Sequence, residues 1–482
     1  MWQPILMIDG YLMSILGLSM IIPAAYDIYL SKTSWSPFCN SALICLFFGI
    51  MLFLSNRMPI KKISIKQGYL ITVVSWLSLV VMASLPFMQS GEITKFHNAF
   101  FEAMSGLTST GATILTNIES VSAPVLLWRS MLNGMGGIGI VIFAVALLPY
   151  LGIGGMQIFQ RENSDSDDKF MPKFSYIAKR IIAVYLFLLI ACVMCFYQAG
   201  MSWFDAVNHG LTTISTGGFS TKNNSFAFFD SARIEMIAVV FMILGSLPMT
   251  FYIALWQNKN GHSSRNIQVM AFFKILAIYV GIVSLFLMVS RQMGVFQSLR
   301  YTIFNVVSIV SSSGFSSTDY LQWGTWCGML FLIFSLTGGC TGSTTGSIKI
   351  FRWQVFFAFL KKSLIGASEP NRVIPIKLGK YNVENTLVSS VFVFFSAYVV
   401  CLGCACILLT LTGLDFTTSF SSAVACMTNS GPGIAAINGP VGNYDFLTTG
   451  GKFICCMAML VGRLEVLTVL VIFTKDFWKI KS

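Results

Sequence analysis

Long apolar runs alternate with short polar stretches along the whole chain. The apolar runs recur at about 20 residues, the length that an α-helix needs to cross the ~30 Å hydrocarbon core of a bilayer. Residues 5–26 and 389–411 are two examples. Between some of these runs lie weaker apolar stretches of roughly ten residues, which are too short to span. The pattern predicts an all-α polytopic membrane protein.

Four of the polar stretches share one design. Each is rich in Ser and Thr, follows a short apolar stretch and ends at a glycine, and the four glycines are separated by 107, 96 and 117 residues. A long apolar run stands before and after each copy, so the pattern predicts four helix–pore loop–helix repeats whose loops re-enter the membrane. The four loops are Thr108, Ser109, Thr110 and Gly111; Ser215, Thr216, Gly217 and Gly218; Ser311, Ser312, Ser313 and Gly314; and Thr428, Asn429, Ser430 and Gly431.

The repeats define a domain organisation. Two further apolar runs precede the first repeat, which predicts ten spanning helices and four half-helices in total. We expect an N-terminal two-helix extension at 1–62, repeat 1 at 63–172, repeat 2 at 173–266, repeat 3 at 267–382 and repeat 4 at 383–482.

Charge sets the predicted orientation. Only 10% of residues are charged and the net charge is +12, whereas soluble domains carry about 25% charged residues. Most Lys and Arg gather at 57–66, 161–180, 259–274, 349–380 and 475–481. By the positive-inside rule these segments are cytoplasmic, as are both termini, and the pore loops enter from the outer side. The basic residues therefore indicate membrane lipid, not nucleic acid, as the surrounding partner.

The repeated loops indicate a cation pathway. Irregular backbone at membrane depth is tolerated only where it lines a cavity or is buried in protein. Four loops around one axis would present rings of carbonyl oxygens that replace the hydration shell of a cation. The sequence shows no ring of carboxylates, which favours a monovalent ion. Glu102, Asp205 and Asp415 stand near the predicted outer starts of the short helices, where they could enrich cations or partner the helix dipoles.

Several motifs occur in a recognisable order along nearly the whole chain. They are "FFEAMSGLTSTGAT", "WRSMLNGMGGIGIVIF", "ISTGGFST", "SSSGFSS", "TGGCTGSTTGSIKIFR" and "MLVGRLEVLT". Together they resemble the Trk/Ktr/HKT superfamily of potassium transporters, and most closely the bacterial Trk membrane subunits. The two N-terminal helices also resemble the Trk branch.

The resemblance implies a fold and a function. It implies a pseudo-fourfold pore within one chain, assembly as a homodimer, and potassium uptake across the bacterial inner membrane, described as proton- or sodium-coupled symport. It assigns K⁺ coordination to the four loops, as a selectivity filter, and implies a TrkA-like cytosolic regulatory subunit that binds NAD and ATP. No organic cofactor is expected on this chain. A sodium-selective or non-selective monovalent cation transporter of the same fold stays open, because one side chain beside a filter glycine could decide selectivity.

Residues 337–347 interrupt the second helix of repeat 3. A phosphate-binding loop would need a lysine directly after its last glycine, but Gly346 is followed by Ser347. We therefore expect Gly338, Gly339, Gly342 and Gly346 to unravel the helix beside a water-filled cavity. The resulting intramembrane loop would lie beneath the filter and act as a gate.

Arg463 lies within the last apolar run, and a charged residue at mid-membrane marks a functional site by default. Glu465 is two residues away, a turn of ~200° on a helix, so the two side chains do not face each other. We expect Arg463 to contact the backbone of 337–347 and hold that loop across the pathway.

Two other classes of protein fit less well. A membrane enzyme would need catalytic or metal-binding groups, but His97, His209 and His262 form no metal or triad spacing with Cys or carboxylate residues, so we expect them to be structural. The twelve cysteines mostly lie in apolar segments and are expected to pack. A transporter of organic solutes built on inverted repeats would need repeats of opposite topology, whereas these four share one orientation.

Overall fold

The computed structural model describes residues 2–31, 35–58, 64–146, 170–257, 266–369, 371–372, 375–378 and 381–479. The prediction for His262 falls outside these residues. So do Lys61, Lys62, Arg161, Lys169, Lys259, Arg265, Lys380 and Lys481 of the basic clusters.

The predicted N-terminal extension is a pair of packed helices. Helix α1 (Trp2–Tyr29) contacts α2 (Ser36–Ser55) along its length and also packs on α3 (Ile65–Gln89) of the first repeat. The pair is close because glycines face each other: a methyl group on Gly10 would lie 2.6 Å from the carbonyl oxygen of Gly49. Small residues at helix contacts are the usual means of tight packing in lipid, where no hydrophobic effect drives association.

Each repeat starts with a long helix and continues into a short pore helix. The long helices are apolar enough to cross a bilayer, and a short stretch of chain then leads into a helix that stops at a filter loop. The long helices are α3, α6 (Phe170–Gln198), α10 (Ile267–Ser290) and α14 (Asn385–Thr410). The pore helices are α4 (Phe96–Leu107), α7 (Trp203–Ile214), α11 (Val295–Val310) and α15 (Phe416–Thr428).

Two pore helices start at polar caps. Ser202 Oγ accepts the Asp205 N–H at 3.1 Å, and the Asp415 carboxylate accepts the Thr418 N–H at 3.0 Å. Hydrogen bonds from Thr418 lower the pKa of the exposed Asp415 carboxyl, so it remains ionised at a helix N-terminus, where negative charge is favourable. Asp205 and Asp415 thus stand where the sequence predicted, as helix-terminal acids.

The second helices of the repeats differ from the prediction, which contained one interruption. Within the described residues, the second helix of repeat 1 is continuous, whereas those of repeats 2, 3 and 4 are broken, with bends of 88° in repeat 2 and 112° in repeat 4. Pro248 lies at the break in repeat 2, where it cannot donate a helical hydrogen bond. The segments are α5 (Ala123–Ala146); α8 (Ala232–Ser246) and α9 (Met249–Gln257); α12 (Thr325–Ser335) and α13 (Ile350–Ser368); and α16 (Thr449–Arg463) and α17 (Val466–Leu470).

The number of membrane-spanning helices follows from these breaks. In the described part of the chain, seven helices are long and apolar enough to cross a membrane, or up to nine if each bent pair is one span. The tenth predicted crossing corresponds to the interrupted helix of repeat 3. The all-α polytopic membrane fold is therefore confirmed, with fewer straight spans than expected.

Small elements complete the fold. A two-stranded antiparallel hairpin pairs Lys377 with Asn382. The elements are β1 (Lys377–Leu378), β2 (Tyr381–Asn382), α18 (Lys475–Trp478) and short 3₁₀ turns at Ile118–Ser120, Ser225–Phe228, Tyr320–Trp323 and Val471–Phe473.

Candidate functional site

The four predicted filter loops share one backbone conformation. In the first loop the Thr110 N–H bonds the Ser105 carbonyl at 2.9 Å, which caps the end of the pore helix in the manner of a Schellman motif. The second residue of each loop is left-handed although it is not glycine, and such residues are uncommon. The second residues are Ser109 (φ 51°), Thr216 (51°), Ser312 (54°) and Asn429 (53°), and the fourth are Gly111 (81°), Gly218 (76°), Gly314 (77°) and Gly431 (84°).

The loops contact one another in a closed ring. A methyl group on Gly111 would lie 2.4 Å from the carbonyl oxygen of Gly217 in the second loop. Each fourth-position glycine meets the third-position carbonyl of the next loop in this way, and the last loop meets the first. The corresponding distances are 1.9 Å from Gly218 to Ser313, 2.1 Å from Gly314 to Ser430, and 2.7 Å from Gly431 to Thr110. We call the residues of the four loops the filter ring.

Hydroxyl pairs brace three of the four loops from within. In three loops the first and third residues join their side-chain oxygens, whereas the third residue of loop two is Gly217. Among the described residues, no donor bonds the carbonyl oxygens of Thr110, Ser313 or Ser430. These main-chain oxygens are the class of ligand that replaces water around a cation. The hydroxyl pairs are Thr108–Thr110 at 2.7 Å, Ser311–Ser313 at 2.9 Å and Thr428–Ser430 at 2.9 Å.

The ring opens on one side into a cavity. All four filter glycines line it, together with the chain that follows the loops of repeats 1, 2 and 4. Its empty space is about 690 Å³ and it is open to solvent. The cavity is lined by segments that follow the filter loops, on the side that the charge pattern predicts to be outside.

A row of pore-helix residues anchors the chain that leaves the filter. These residues stand nine positions before each filter glycine, and the prediction missed their shared role, although an alignment on the glycines brings them together. Each bonds the outgoing segment with a different chemical group. The bonds are Thr113 Oγ1 to Glu102 (2.9 Å), His209 Nε2 with Ser220 Oγ (2.9 Å), Asn305 Nδ2 to Ser317 Oγ (3.0 Å) and Asn438 Nδ2 to Ser422 Oγ (2.7 Å).

The anchor on the pore helix before loop two is His209, one of the histidines that we expected to be structural. The His209 ring is fully buried and lies edge-on to Phe226, with centroids 5.2 Å apart. Its Nδ1 also bonds the Asp205 carbonyl at 2.8 Å. Nε2 thus holds the segment that leaves the filter, whereas Nδ1 bonds within α7.

Glu102 does not stand at the outer start of its helix, so the expectation that it enriches cations at the mouth is wrong. It lies in the middle of α4, is 0% exposed, and Arg129 Nε bonds its Oε1 at 2.6 Å. The Arg129 guanidinium also lies 4.2 Å from the Phe219 ring and 3.4 Å from the Ser220 carbonyl oxygen. The ion pair is therefore neutral, and it joins repeats 1 and 2 behind the ring.

The predicted interruption at 337–347 is present and lies against the ring. Thr344 Oγ1 donates to the Ile214 carbonyl at 3.0 Å, at the end of the second pore helix. The Gly346 N–H donates to Ser312 Oγ at 2.6 Å, and the Ser347 N–H donates to the Thr428 carbonyl at 2.9 Å. The segment thus touches three of the four repeats at their filters.

The other side of this segment meets the break in repeat 2. The Cys340 N–H donates to the Ser246 carbonyl at 3.0 Å, and the Met249 N–H donates to the Gly342 carbonyl at 3.0 Å. The segment is therefore held between the filter ring and the junction of α8 with α9.

Charged side chains gather next to the segment. Lys349 donates to the carbonyl and hydroxyl oxygens of Thr345, and Arg352 pairs with Glu465 at 2.5 Å. Lys349 also lies within electrostatic range of Arg463. Two arginines, one lysine and one carboxylate therefore lie near this segment.

Arg463 makes no hydrogen bond to the predicted loop. Arg463 is 3% exposed, and none of its three guanidinium nitrogens has a hydrogen-bond partner among the described residues, so it makes no hydrogen bond to the backbone of 337–347. Helix α16 ends at Arg463, because Glu465 takes a left-handed conformation (φ 64°) and turns toward Arg352. Arg463 is therefore at the end of a broken helix, not in the middle of a straight one.

Comparison with known proteins agrees with this architecture. A family profile described as "TrkH: Cation transport protein" matches residues 36–480. The chain belongs to the TrkH family. It is 35% identical to Trk system potassium uptake protein TrkI of Halomonas elongata, over 99% of this chain and 97% of that protein. It is 33% identical to the TrkH protein of Escherichia coli K12, over 99% of both chains.

A solved structure of the family has the same fold. The crystal structure of the potassium transporter TrkH from Vibrio parahaemolyticus superposes with a TM-score of 0.92 at 31% identity. The match covers 99% of this chain and 100% of the other.

Replacing a filter glycine tests the ring. We expect Gly314→Ala to reduce cation flux, measured with rubidium in proteoliposomes, by about tenfold or more. The added methyl would lie 2.1 Å from the Ser430 carbonyl oxygen, and a left-handed alanine alone costs ~1–2 kcal/mol. Gly403→Ala is the control, because nothing lies within 4 Å of that position. Equal flux through both variants would contradict the ring contact.

Breaking the buried ion pair tests its structural role. We expect Glu102→Gln to lower the free energy of unfolding by about 3–5 kcal/mol, because Arg129 is left buried without its counter-ion. Thermal melting of the purified protein measures the loss. Glu369→Gln removes an exposed pair with Arg372 (57% and 59% exposed) and should have little effect. A Glu102→Gln variant as stable as this control would show that the pair is not a brace.

Proposed function

We propose that this protein carries K⁺ into the cell across the bacterial inner membrane through the filter ring. The closed ring of four loops, each with the same left-handed turn and terminal glycine, is the observation that carries the proposal. Relatives that cover the whole chain are named potassium uptake proteins of the Trk system, which supports K⁺ as the cargo.

The ring binds the ion through main-chain oxygens. A K⁺ ion entering from the open cavity exchanges its water for the third-position carbonyls, of which those on Thr110, Ser313 and Ser430 have no other donor in the described structure. The pore helices end at the ring, so the negative ends of four helix dipoles point toward the ion and stabilise its charge. Residues 108–111, 215–218, 311–314 and 428–431 form the selectivity filter.

The segment at 337–347 gates this pathway. It lies against three filter loops, and Gly338, Gly339, Gly342 and Gly346 allow it to change conformation. Lys349 and Arg463 add positive charge beside it, which repels a cation. Opening requires the hydrogen bonds that hold this segment to the filter to break together, and movement of α13 would break them.

The gate is controlled from the cytoplasmic side. By the positive-inside rule the basic segments favour a cytoplasmic position for both termini, and α13 begins directly after the gate and lies within the basic region at 349–380. A TrkA-like subunit that binds NAD and ATP docks on this face and moves α13. The protein works as a homodimer, with proton or sodium coupling.

A second candidate is a monovalent cation transporter that accepts Na⁺ as well. The ring is unequal, because loop two has the pair Gly217–Gly218 where the other loops have a single glycine. A less regular ring discriminates less sharply between ions of different radius.

Rubidium uptake tests the proposal. Cells that lack their own potassium uptake should accumulate radioactive Rb⁺ when they produce this protein. Excess K⁺ should compete, whereas excess Na⁺ should not. Equal competition by Na⁺ would favour the second candidate, and no uptake in the presence of the regulatory subunit would contradict both.

Removing the positive charge beside the gate tests whether that charge forms a barrier to ion flux. We expect Arg463→Ala to raise Rb⁺ flux in proteoliposomes by about tenfold, which corresponds to ~1.4 kcal/mol of barrier, and deletion of 338–346 to raise it further. Arg372→Ala is the control, because that side chain is 59% exposed and distant in sequence from the gate. Unchanged flux in both gate variants, at normal protein levels, would rule out gating by this segment.

A further inference from the structure

One loop of the filter ring lacks the brace that the others have. The third residue is Thr110, Ser313 or Ser430 in three loops, and its hydroxyl bonds the first residue of the same loop. In loop two it is Gly217, which has no side chain. We propose that Asn133, on helix α5 of the neighbouring repeat, supplies the missing brace and determines ion specificity at that position of the ring.

Asn133 occupies the space of the missing side chain. A methyl group on Gly217 would lie 2.3 Å from Asn133 Nδ2, closer than any two such atoms can approach. The same Nδ2 donates to the Gly217 carbonyl at 3.1 Å, and the residue is 0% exposed. The amide therefore fits the glycine both in shape and in hydrogen bonding.

Asn133 also contacts the first loop. Its main-chain carbonyl accepts a bond from Ser109 Oγ at 3.3 Å. Because Ser109 and Gly217 belong to adjacent loops, one residue of α5 fixes the junction between repeats 1 and 2.

Glycines around Asn133 bring α5 close enough for these contacts. A methyl group on Gly136 would lie 1.9 Å from the Leu107 carbonyl oxygen, and one on Gly137 would lie 2.6 Å from Ser215 Cβ. The "NGMGG" part of the motif at 133–137 thus packs directly against the ends of two pore helices. This accounts for a glycine-rich stretch that the filter loops themselves do not explain.

The hydrogen bond from the Asn133 amide affects how the ring would bind an ion. The Gly217 carbonyl receives the Asn133 bond, whereas the third-position carbonyls of the other three loops receive none from a described residue. Asn133 therefore fixes the orientation of the Gly217 carbonyl, one of the four ring oxygens, and withdraws electron density from that oxygen. Its own Oδ1 is buried and has no hydrogen-bond partner among the described residues, so an additional oxygen lies beside the ring. This role rests on the proposed K⁺ function, but the fit of Asn133 to Gly217 does not.

A compensating pair of substitutions tests the inference. Gly217→Ser alone should reduce Rb⁺ flux by about tenfold or more, because its side chain collides with Asn133. Asn133→Ala alone should lose much of the preference for K⁺ over Na⁺ in competition. The double variant should recover both flux and preference. The introduced hydroxyl can then pair with Ser215, as in the other loops, and Gly217 is not left-handed, so serine fits its backbone.

Gly218→Ser in the Asn133→Ala background is the matched control. Its side chain would collide with the Ser313 main chain at 1.9 Å and would need a left-handed serine (φ 76°), so removing Asn133 cannot rescue it. A Gly217→Ser variant that works normally beside Asn133, or a double variant no better than Gly217→Ser, would overturn the inference.

Melting temperatures separate this inference from the proposed function. On purified protein, Gly217→Ser should lower the melting temperature and the double variant should restore it, whichever ion is carried. If wild-type protein takes up no Rb⁺ while this pattern of melting holds, the proposed function fails and the fit of Asn133 to Gly217 stands. If the melting pattern is absent, the inference about Asn133 fails.

Discussion

Each filter glycine lies with its Cα against a main-chain carbonyl of the next loop, and this approach closes the four loops into one ring. The contact leaves no room for a Cβ, so every one of the four positions has to be glycine, and each also needs a left-handed φ that glycine adopts without strain. Because the ring is continuous, a displacement of one loop is transmitted to its neighbours. The pore helices are placed accordingly, since each must end where its last residues can cap themselves and turn into the ring.

The residues that anchor the ring keep the same geometry in each repeat but use different chemical groups. The anchors nine positions before the glycines are a carboxylate, an imidazole, an amide and a hydroxyl, yet each bonds the chain that leaves the filter. In repeat 1 the carboxylate needs a buried counter-ion, which Arg129 provides while it also contacts repeat 2. The pseudo-fourfold arrangement is therefore one of backbone positions. Side chains differ between repeats wherever another group can make an equivalent bond.

Beneath the ring, the second helices of three repeats are broken, and the breaks are connected. The segment at 337–347 bonds the ring on one side and the junction of α8 and α9 on the other. The break in repeat 4 turns Glu465 toward Arg352 at the start of α13. The three breaks thus form one assembly attached to a helix that leads to the basic face.

The sequence alone determined the membrane class, the four loops and the interruption in repeat 3, because these depend on local composition and on glycine and hydroxyl residues close together in the chain. The tertiary structure decided which side chains pair with each other. Glu102 is neutralised by Arg129, 27 residues away, and Arg463 makes no bond to the segment at 337–347, since the turn at Glu465 ends its helix. The brace on Gly217 comes from Asn133, 84 residues away. Such pairs depend on how helices of different repeats pack and on the register between them, and residue pattern within one segment carries no information about either.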